Sequence, residues 1–230
     1  MNTTHTPTSC GAIIVAAGSS RRMGMDKLLW PLDGVPVLRR TIESFASSPA
    51  ISAIVVVCPE ERWRLLDLPE FSKPVLRADG GETRQDSVAL GLAALPQDCL
   101  MVAVHDGARP LVAPADIARC VEAAATHGAA ALARRVTETM KRSDSGDFCG
   151  EPVSRELLWS METPQIFTTA LLRQAYAEVA RRNLTVTDEV SAAQAAGIRV
   201  KLIESLHPNL KITTPGDLAL ASALWNTSVS

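Results

Sequence analysis

The sequence predicts an α/β fold of three layers, a mostly parallel sheet with helices on both faces. Short apolar runs recur along the chain: AIIVAA at 12–17, SAIVVVC at 52–58, CLMVAVH at 99–105, AAALAR at 129–134 and IRVKLI at 198–203. Segments of helical period alternate with them, at about 35–47, 60–67, 84–95, 114–127, 168–182, 188–196 and 215–225. Strands buried on both faces read as continuous apolar runs, and their alternation with helices implies crossover connections and hence parallel pairing.

The elements have local reasons in turn. The run at 12–17 follows MNTTHTPTSCG, a polar, Thr-rich stretch without the basic start and about 7–15-residue apolar core of a secretory signal. Residues 1–10 are therefore expected to form a disordered tail, followed by one domain over 11–230. Thr83, Asp86 and Ser87 sit where the helix at 84–95 begins, so one of them can be its N-cap, Ser87 included. Thr187-Asp188-Glu189 and Thr213-Thr214-Pro215 are further helix starts, the latter with Pro in the first turn. One stretch breaks the alternation: residues 135–158, RVTETMKRSDSGDFCGEPVSRELL, are polar and turn-rich. That is long for a connection within a compact domain, and it is expected to project as an arm.

Composition excludes several classes. Charge, hydrophobicity and Gly/Pro usage show no break along the 230 residues, and the length suffices for a substantial core. The 23 Lys+Arg against 25 Asp+Glu give no nucleic-acid footprint. No apolar run approaches the roughly 18–20 residues of a membrane span, so no membrane association is expected. The five cysteines, Cys10, Cys58, Cys99, Cys120 and Cys149, are odd in number and widely spaced. They fit neither a disulfide framework nor a zinc site, and reduced thiols in the cytoplasm are the expectation.

In sheets of this kind ligands bind beyond the carboxyl ends of the strands. The first such loop, in AAGSSRRMGMDK, turns on Gly18, Ser19 and Ser20 and places Arg21, Arg22 and Lys27 beside backbone amides. Small residues and cations together suit a polyphosphate, although a plain turn with solvated cations has the same sequence. It is neither G-x-G-x-x-G nor a Walker P-loop, which argues against dinucleotide and ATPase chemistry. The second loop, ADGGETRQDS, has Gly80 and Gly81 for close backbone approach. The third, HDGARP, ends the run at 99–105 with Asp106. An acid at the end of a central strand needs a partner: a nucleotide-borne Mg²⁺ is one, an ion pair with Arg109 the other. His105 reads as a packed, hydrogen-bonded side chain, because no second His or Cys has ligand spacing. Near the C-terminus, Lys211 is the residue that helix capping does not explain.

AAGSSRRM, GGETRQDSV, HDGARP, TMKR, LWSMETPQIF, TDEVSAA and NLKITTPGDLALA together resemble, in order and over nearly the whole chain, the 2-C-methyl-D-erythritol 4-phosphate cytidylyltransferases of isoprenoid biosynthesis. The resemblance implies a Rossmann-like nucleotidyltransferase fold and transfer of a cytidylyl group from CTP to a sugar-alcohol phosphate. By position it implies that Ala16, Ala17, Gly18, Arg22 and Lys27 hold the triphosphate, and that Gly81, Glu82 and Ser87 line the cytidine site. Asp106 would face Mg²⁺ or another divalent cation, and Lys211 would lie near the reacting phosphates. Arg109, Thr139, Arg155 and Thr163 would grip the acceptor. The arm with Thr139 and Arg155 would cross to the partner subunit of a homodimer. A ribitol 5-phosphate cytidylyltransferase and a non-catalytic nucleotide-binding regulator are the alternatives.

Overall fold

The structure is a computed structural model that describes residues 9–18 and 26–228. Residues 1–8 of the expected tail lie outside the described residues, as do Arg21 and Arg22. Ser9 and Cys10, the last two residues of that stretch, belong to the fold: Cys10 opens the first strand, and the Ser9 carbonyl accepts a backbone bond from Met101.

The chain runs through β1 (Cys10–Val15), the two-residue strands β2 (Pro31–Leu32) and β3 (Val35–Pro36), α1 (Val37–Ser47), β4 (Ala53–Val57), α2 (Glu60–Arg64) and β5 (Val75–Ala78). It continues with α3 (Arg84–Ala94), β6 (Met101–Asp106), α4 (Pro114–His127), β7 (Ala129–Arg135), β8 (Met140–Ser143) and β9 (Cys149–Val153). β10 (Trp159–Thr168), α5 (Thr169–Arg181), α6 (Glu189–Ala195), β11 (Lys201–Glu204) and α7 (Pro215–Ser228) complete it. All five expected strands and all seven expected helices are present.

Seven strands form one sheet in the order β11-β7-β10-β6-β1-β4-β5. β1 pairs in parallel with β4 and β6, β4 with β5, and β7 with β11, while β10 runs antiparallel between β6 and β7. Because side chains alternate along a strand, the sheet buries a core on each face. Cys10, Ala12 and Ile14 of β1 point to the side covered by α1, α4 and α7. Ile13 points to the other, where Val88 and Leu92 of α3, Leu172 of α5 and Val190 of α6 pack. This is the expected three-layer arrangement. Among the described residues, no helix is long and apolar enough to cross a membrane.

The stretch METPQIF, which is not among the strands expected from the sequence, belongs to β10. Pro164 follows a cis peptide bond, and the register with β7 shifts between Met161 and Gln165. A bulge of this kind admits proline inside a sheet and re-aims the residues beside it. Of the stretch 135–158, Arg135 still pairs with Trp159 in the sheet, and residues 136–158 leave it between β7 and β10. Val136 donates to Leu158 at 3.1 Å, the Arg135 guanidinium lies over the Trp159 ring, and the antiparallel β8–β9 hairpin extends beyond.

Candidate active site

Three loops and the segment before α7 enclose a cavity of about 580 Å³ at the carboxyl ends of β1 and β6. Ala16, Ala17 and Gly18 contribute the first wall and Gly81, Glu82 and Ser87 the second. Lys27, Arg84, Asp106 and Lys211 add charge to the lining. Residues spread from 16 to 211 in the chain thus converge on one space. Lys27 is held there by a 2.6 Å bond from its Nζ to the Ile212 carbonyl.

The glycines of the second loop permit this closeness. A Cβ on Gly80 would fall 2.4 Å from the Ala17 Cβ, closer than two carbons can approach, so the first two loops touch only because residue 80 lacks a side chain. The helix that follows is capped by Thr83 and not by Ser87. The Thr83 hydroxyl accepts from the Asp86 N–H at 3.0 Å and the Asp86 carboxylate accepts from the Thr83 N–H at 3.0 Å, a reciprocal capping box. Ser87, 2% exposed, does something else. Its Oγ accepts the Gly81 N–H at 3.1 Å and donates to the Thr83 carbonyl at 3.0 Å, fixing the loop from below.

Asp106 sits among three cations: Lys211 Nζ at 2.8 Å, Arg84 Nη2 at 3.4 Å and Arg109 Nε at 3.6 Å. The Arg109 pair, the alternative reading of this acid, is present as the longest of three. Burial raises the Asp106 carboxyl, yet Lys211, Arg84 and Arg109 outweigh it and hold it well below the usual carboxylate range. Arg109 is pulled down by burial, against Asp106 and Glu162, and remains charged at neutral pH.

Behind Asp106 the bulge of β10 aims Thr163, 3% exposed, into the strand end. Its Oγ1 accepts the Asp106 N–H at 3.1 Å and bonds His105 Nδ1 at 2.9 Å. The other ring nitrogen faces the Arg109 carbonyl at 3.2 Å. A carbonyl only accepts, so Nε2 carries the proton and Nδ1 receives the threonine hydroxyl. Burial lowers the His105 pKa to about 3, which keeps the imidazole neutral. Its ring lies 4.8 Å from that of Phe45. His105 is thus the packed residue its sequence context suggested.

A second cavity of about 550 Å³ adjoins the first and shares Lys211 and Thr213 with it. Arg109, Arg134, Glu162 and Asn209 line it. Arg109 donates to the Asn209 carbonyl at 2.7 Å and to the Met161 carbonyl at 3.5 Å. Thr139 and Arg155 are exposed on the arm and line neither cavity of their own chain; Arg155 donates to the Thr137 carbonyl.

Two arginines with no sequence signal belong to the site. Arg84 lines the first cavity and bonds both Glu189 carboxylate oxygens, at 2.5 and 2.9 Å, while the Tyr176 hydroxyl donates to the same carboxylate at 3.0 Å. Arg62 of α2 reaches the backbone of the first loop from outside the cavity.

Among the described residues no group of three or more His, Cys, Asp or Glu could cage a metal ion. One strand-end carboxylate, with Glu82 also on the lining, is the donor set of a hard cation that keeps most of its ligands from phosphate and water. The residues therefore fit a nucleotide-borne Mg²⁺.

A mostly parallel α/β sheet whose strand ends gather a small-residue loop, two lysines and one aspartate defines a nucleotidyltransferase of the Rossmann-like type. The family model for 2-C-methyl-D-erythritol 4-phosphate cytidylyltransferase (IspD) matches residues 10–227. A protein of that name from Prochlorococcus marinus is 43% identical over 92% of this chain and 96% of its own. Another from Dehalococcoides mccartyi is 41% identical over 93% and 95%. The crystal structure of the Thermus thermophilus protein of the same name superposes with a TM-score of 0.79 at 34% identity, covering 95% of this chain and 99% of that one. The chain belongs to the 2-C-methyl-D-erythritol 4-phosphate cytidylyltransferase family.

Proposed function

We propose that the protein transfers a cytidylyl group from CTP to 2-C-methyl-D-erythritol 4-phosphate, releasing pyrophosphate. The observation that carries this reading is the convergence of Lys27, Asp106 and Lys211 on one cavity beside the Ala16–Gly18 loop. Attack of one phosphate on the α-phosphorus of CTP brings anion against anion, so the site must supply fixed positive charge where the two meet. Lys27 and Lys211 do this, and we assign Arg22 the same task. Gly81, Glu82 and Ser87 frame the cytidine, and Arg109 takes the acceptor phosphate from the adjoining cavity. Thr163 holds the Asp106 strand end on which both depend. Asp106 would hold Mg²⁺, which would supply further charge neutralisation.

No general base is required. A phosphomonoester with its second pKa near about 6 is largely ionised at pH 7 and is itself the nucleophile. Catalysis is then positioning and charge stabilisation.

The arm completes the site in a homodimer. Thr139 and Arg155 stand away from their own chain's cavities, and Phe148 and Leu157 on the same arm are 74% and 82% exposed, as suits a segment that packs on a second subunit. Residues 11–230 act as one domain in the cytoplasm, in keeping with four buried, unpaired cysteines. The relatives' names favour the methylerythritol phosphate over ribitol 5-phosphate. Pyrophosphate release from CTP, measured across a panel of tetritol, pentitol and pterin phosphates, tests the assignment; faster turnover with ribitol 5-phosphate would overturn it.

A further inference from the structure

Arg62 is 7% exposed and does not line the nucleotide cavity, yet each of its three guanidinium nitrogens is engaged on the backbone of the first cavity wall or on Asp26, the residue before Lys27. Nε pairs with Asp26 Oδ2 at 2.7 Å, Nη1 donates to the Ala16 carbonyl, and Nη2 donates to the Gly18 carbonyl at 3.0 Å. Asp26 in turn holds a tight turn. Its Oδ1 accepts the Leu28 N–H at 3.1 Å and its carbonyl accepts the Leu29 N–H at 3.0 Å. Between those contacts stands Lys27, with its Nζ on the Ile212 carbonyl.

We propose that Arg62 is a positioning residue for the nucleotide, a clamp that joins the backbone at 16–18 to the turn at 26–28 from behind the cavity. The inference rests on the cytidylyltransferase reading. The peptide plane gives the clamp its effect: in a trans peptide the N–H points opposite to the carbonyl, so pinning the Ala16 carbonyl on Arg62 turns the Ala17 N–H the other way. The Asp26 contact sets the turn from which Lys27 extends. A planar fork with donors in fixed directions can bridge two carbonyls and a carboxylate at once, which a lysine ammonium at the end of a flexible stem cannot. Removing it leaves two carbonyls and a carboxylate without their charged donor, and each such loss is large enough to rearrange a loop. Arg62 acts only through these groups, so its loss should be felt in CTP binding and spare the acceptor.

The test measures the CTP dissociation constant by calorimetry, and KM for CTP and for the acceptor separately, in wild type, Arg62→Met, Arg62→Lys and Asp26→Asn. Arg62→Met should raise the CTP constants roughly tenfold or more while the acceptor KM stays within about twofold. Arg62→Lys, keeping the charge but not the fork, should fall between it and wild type. Asp26→Asn should weaken CTP binding about threefold or more alone and add less than that to Arg62→Met, because both act on one clamp. A purely structural role would lower the folded fraction and reduce turnover with both substrates alike. An Arg62→Met protein that binds CTP within about twofold of wild type overturns the proposal. If Arg62→Met does not fold, Asp26→Asn decides by the same split: a selective rise in the CTP constants supports the clamp and unchanged CTP binding overturns it. Failure of the wild-type protein itself to bind and turn over CTP would overturn the cytidylyltransferase reading, an outcome visible before any variant is compared.

Discussion

Lys211 and Asp106 meet at 2.8 Å on the wall of the first cavity, one from the segment before α7 and the other from the end of β6. The pair is half of a balance. Asp106 is charged because three cations surround it, and Lys211 is fixed because Asp106 draws it in. A metal ion carried by a nucleotide would be held at Asp106 and would supply positive charge there, beside the charge of Lys211. Asp106→Asn is expected to lower kcat/KM on the order of 10²-fold and to raise the Mg²⁺ concentration needed for half-maximal rate. Lys211→Met should cost a similar factor without moving the Mg²⁺ requirement. Titrating Mg²⁺ in both variants separates the roles, and chelation should abolish wild-type turnover.

Lys27 should contribute to the transition state through its charge. Lys27→Ala is expected to reduce kcat/KM on the order of 10² or more, the scale for losing a preorganised charge contact. Arg22→Ala is expected to lose a similar factor. Steady-state rates at saturating acceptor provide the measure, and a Lys27→Ala enzyme within about threefold of wild type would remove Lys27 from the machinery.

How far the site could be read from the chain depended on whether a residue's role was local. The buried strands announced themselves by runs such as AIIVAA and AIVVV, and Asp106 by ending one of them. β10 did not, because WSMETPQIFT carries a glutamate and a proline inside the strand, and only the bulge between Met161 and Gln165 makes room for them. β5 was equally mute, four residues at the sheet edge with none fully buried. Arg62 lies in EERWR, which reads as a solvated helix face; its burial depends on the carbonyls of Ala16 and Gly18, far away in sequence. Arg84 likewise depends on Glu189. Tertiary ion pairs leave no periodicity, so spacing alone could not have found either.

Base selection should come from the second loop. Ser87 holds the Gly81 N–H, and Gly80 rests against Ala17, so the wall expected to frame the base is fixed in place. CTP should exceed ATP, GTP and UTP in kcat/KM by at least roughly 10²-fold, the discrimination available where a wrong base leaves a polar contact unmatched. Gly80→Ala should cost on the order of tenfold or more in CTP affinity, since its methyl would force the first two loops apart. Competition assays with the four nucleotides test the first expectation; GTP turnover comparable to CTP would refute the pyrimidine pocket.

The arm makes the sharpest prediction. Thr139 and Arg155 are exposed and line neither cavity of their own subunit, while Lys27 lines the first. If an isologous dimer exchanges arms, each site combines Lys27 of one chain with Arg155 of the other. Lys27→Ala and Arg155→Ala proteins, each inactive alone, are mixed, dissociated and reassociated. A heterodimer then holds one site with both lesions and one with neither. Random pairing makes half of all dimers heterodimers, so activity should return to about a quarter of the wild-type level. If Arg155 served its own subunit instead, every site in every dimer would carry one lesion, and nothing would return. Heterodimers can be counted independently with two affinity tags, so a mixture that contains them and stays inactive would assign Arg155 to its own chain and remove the shared site.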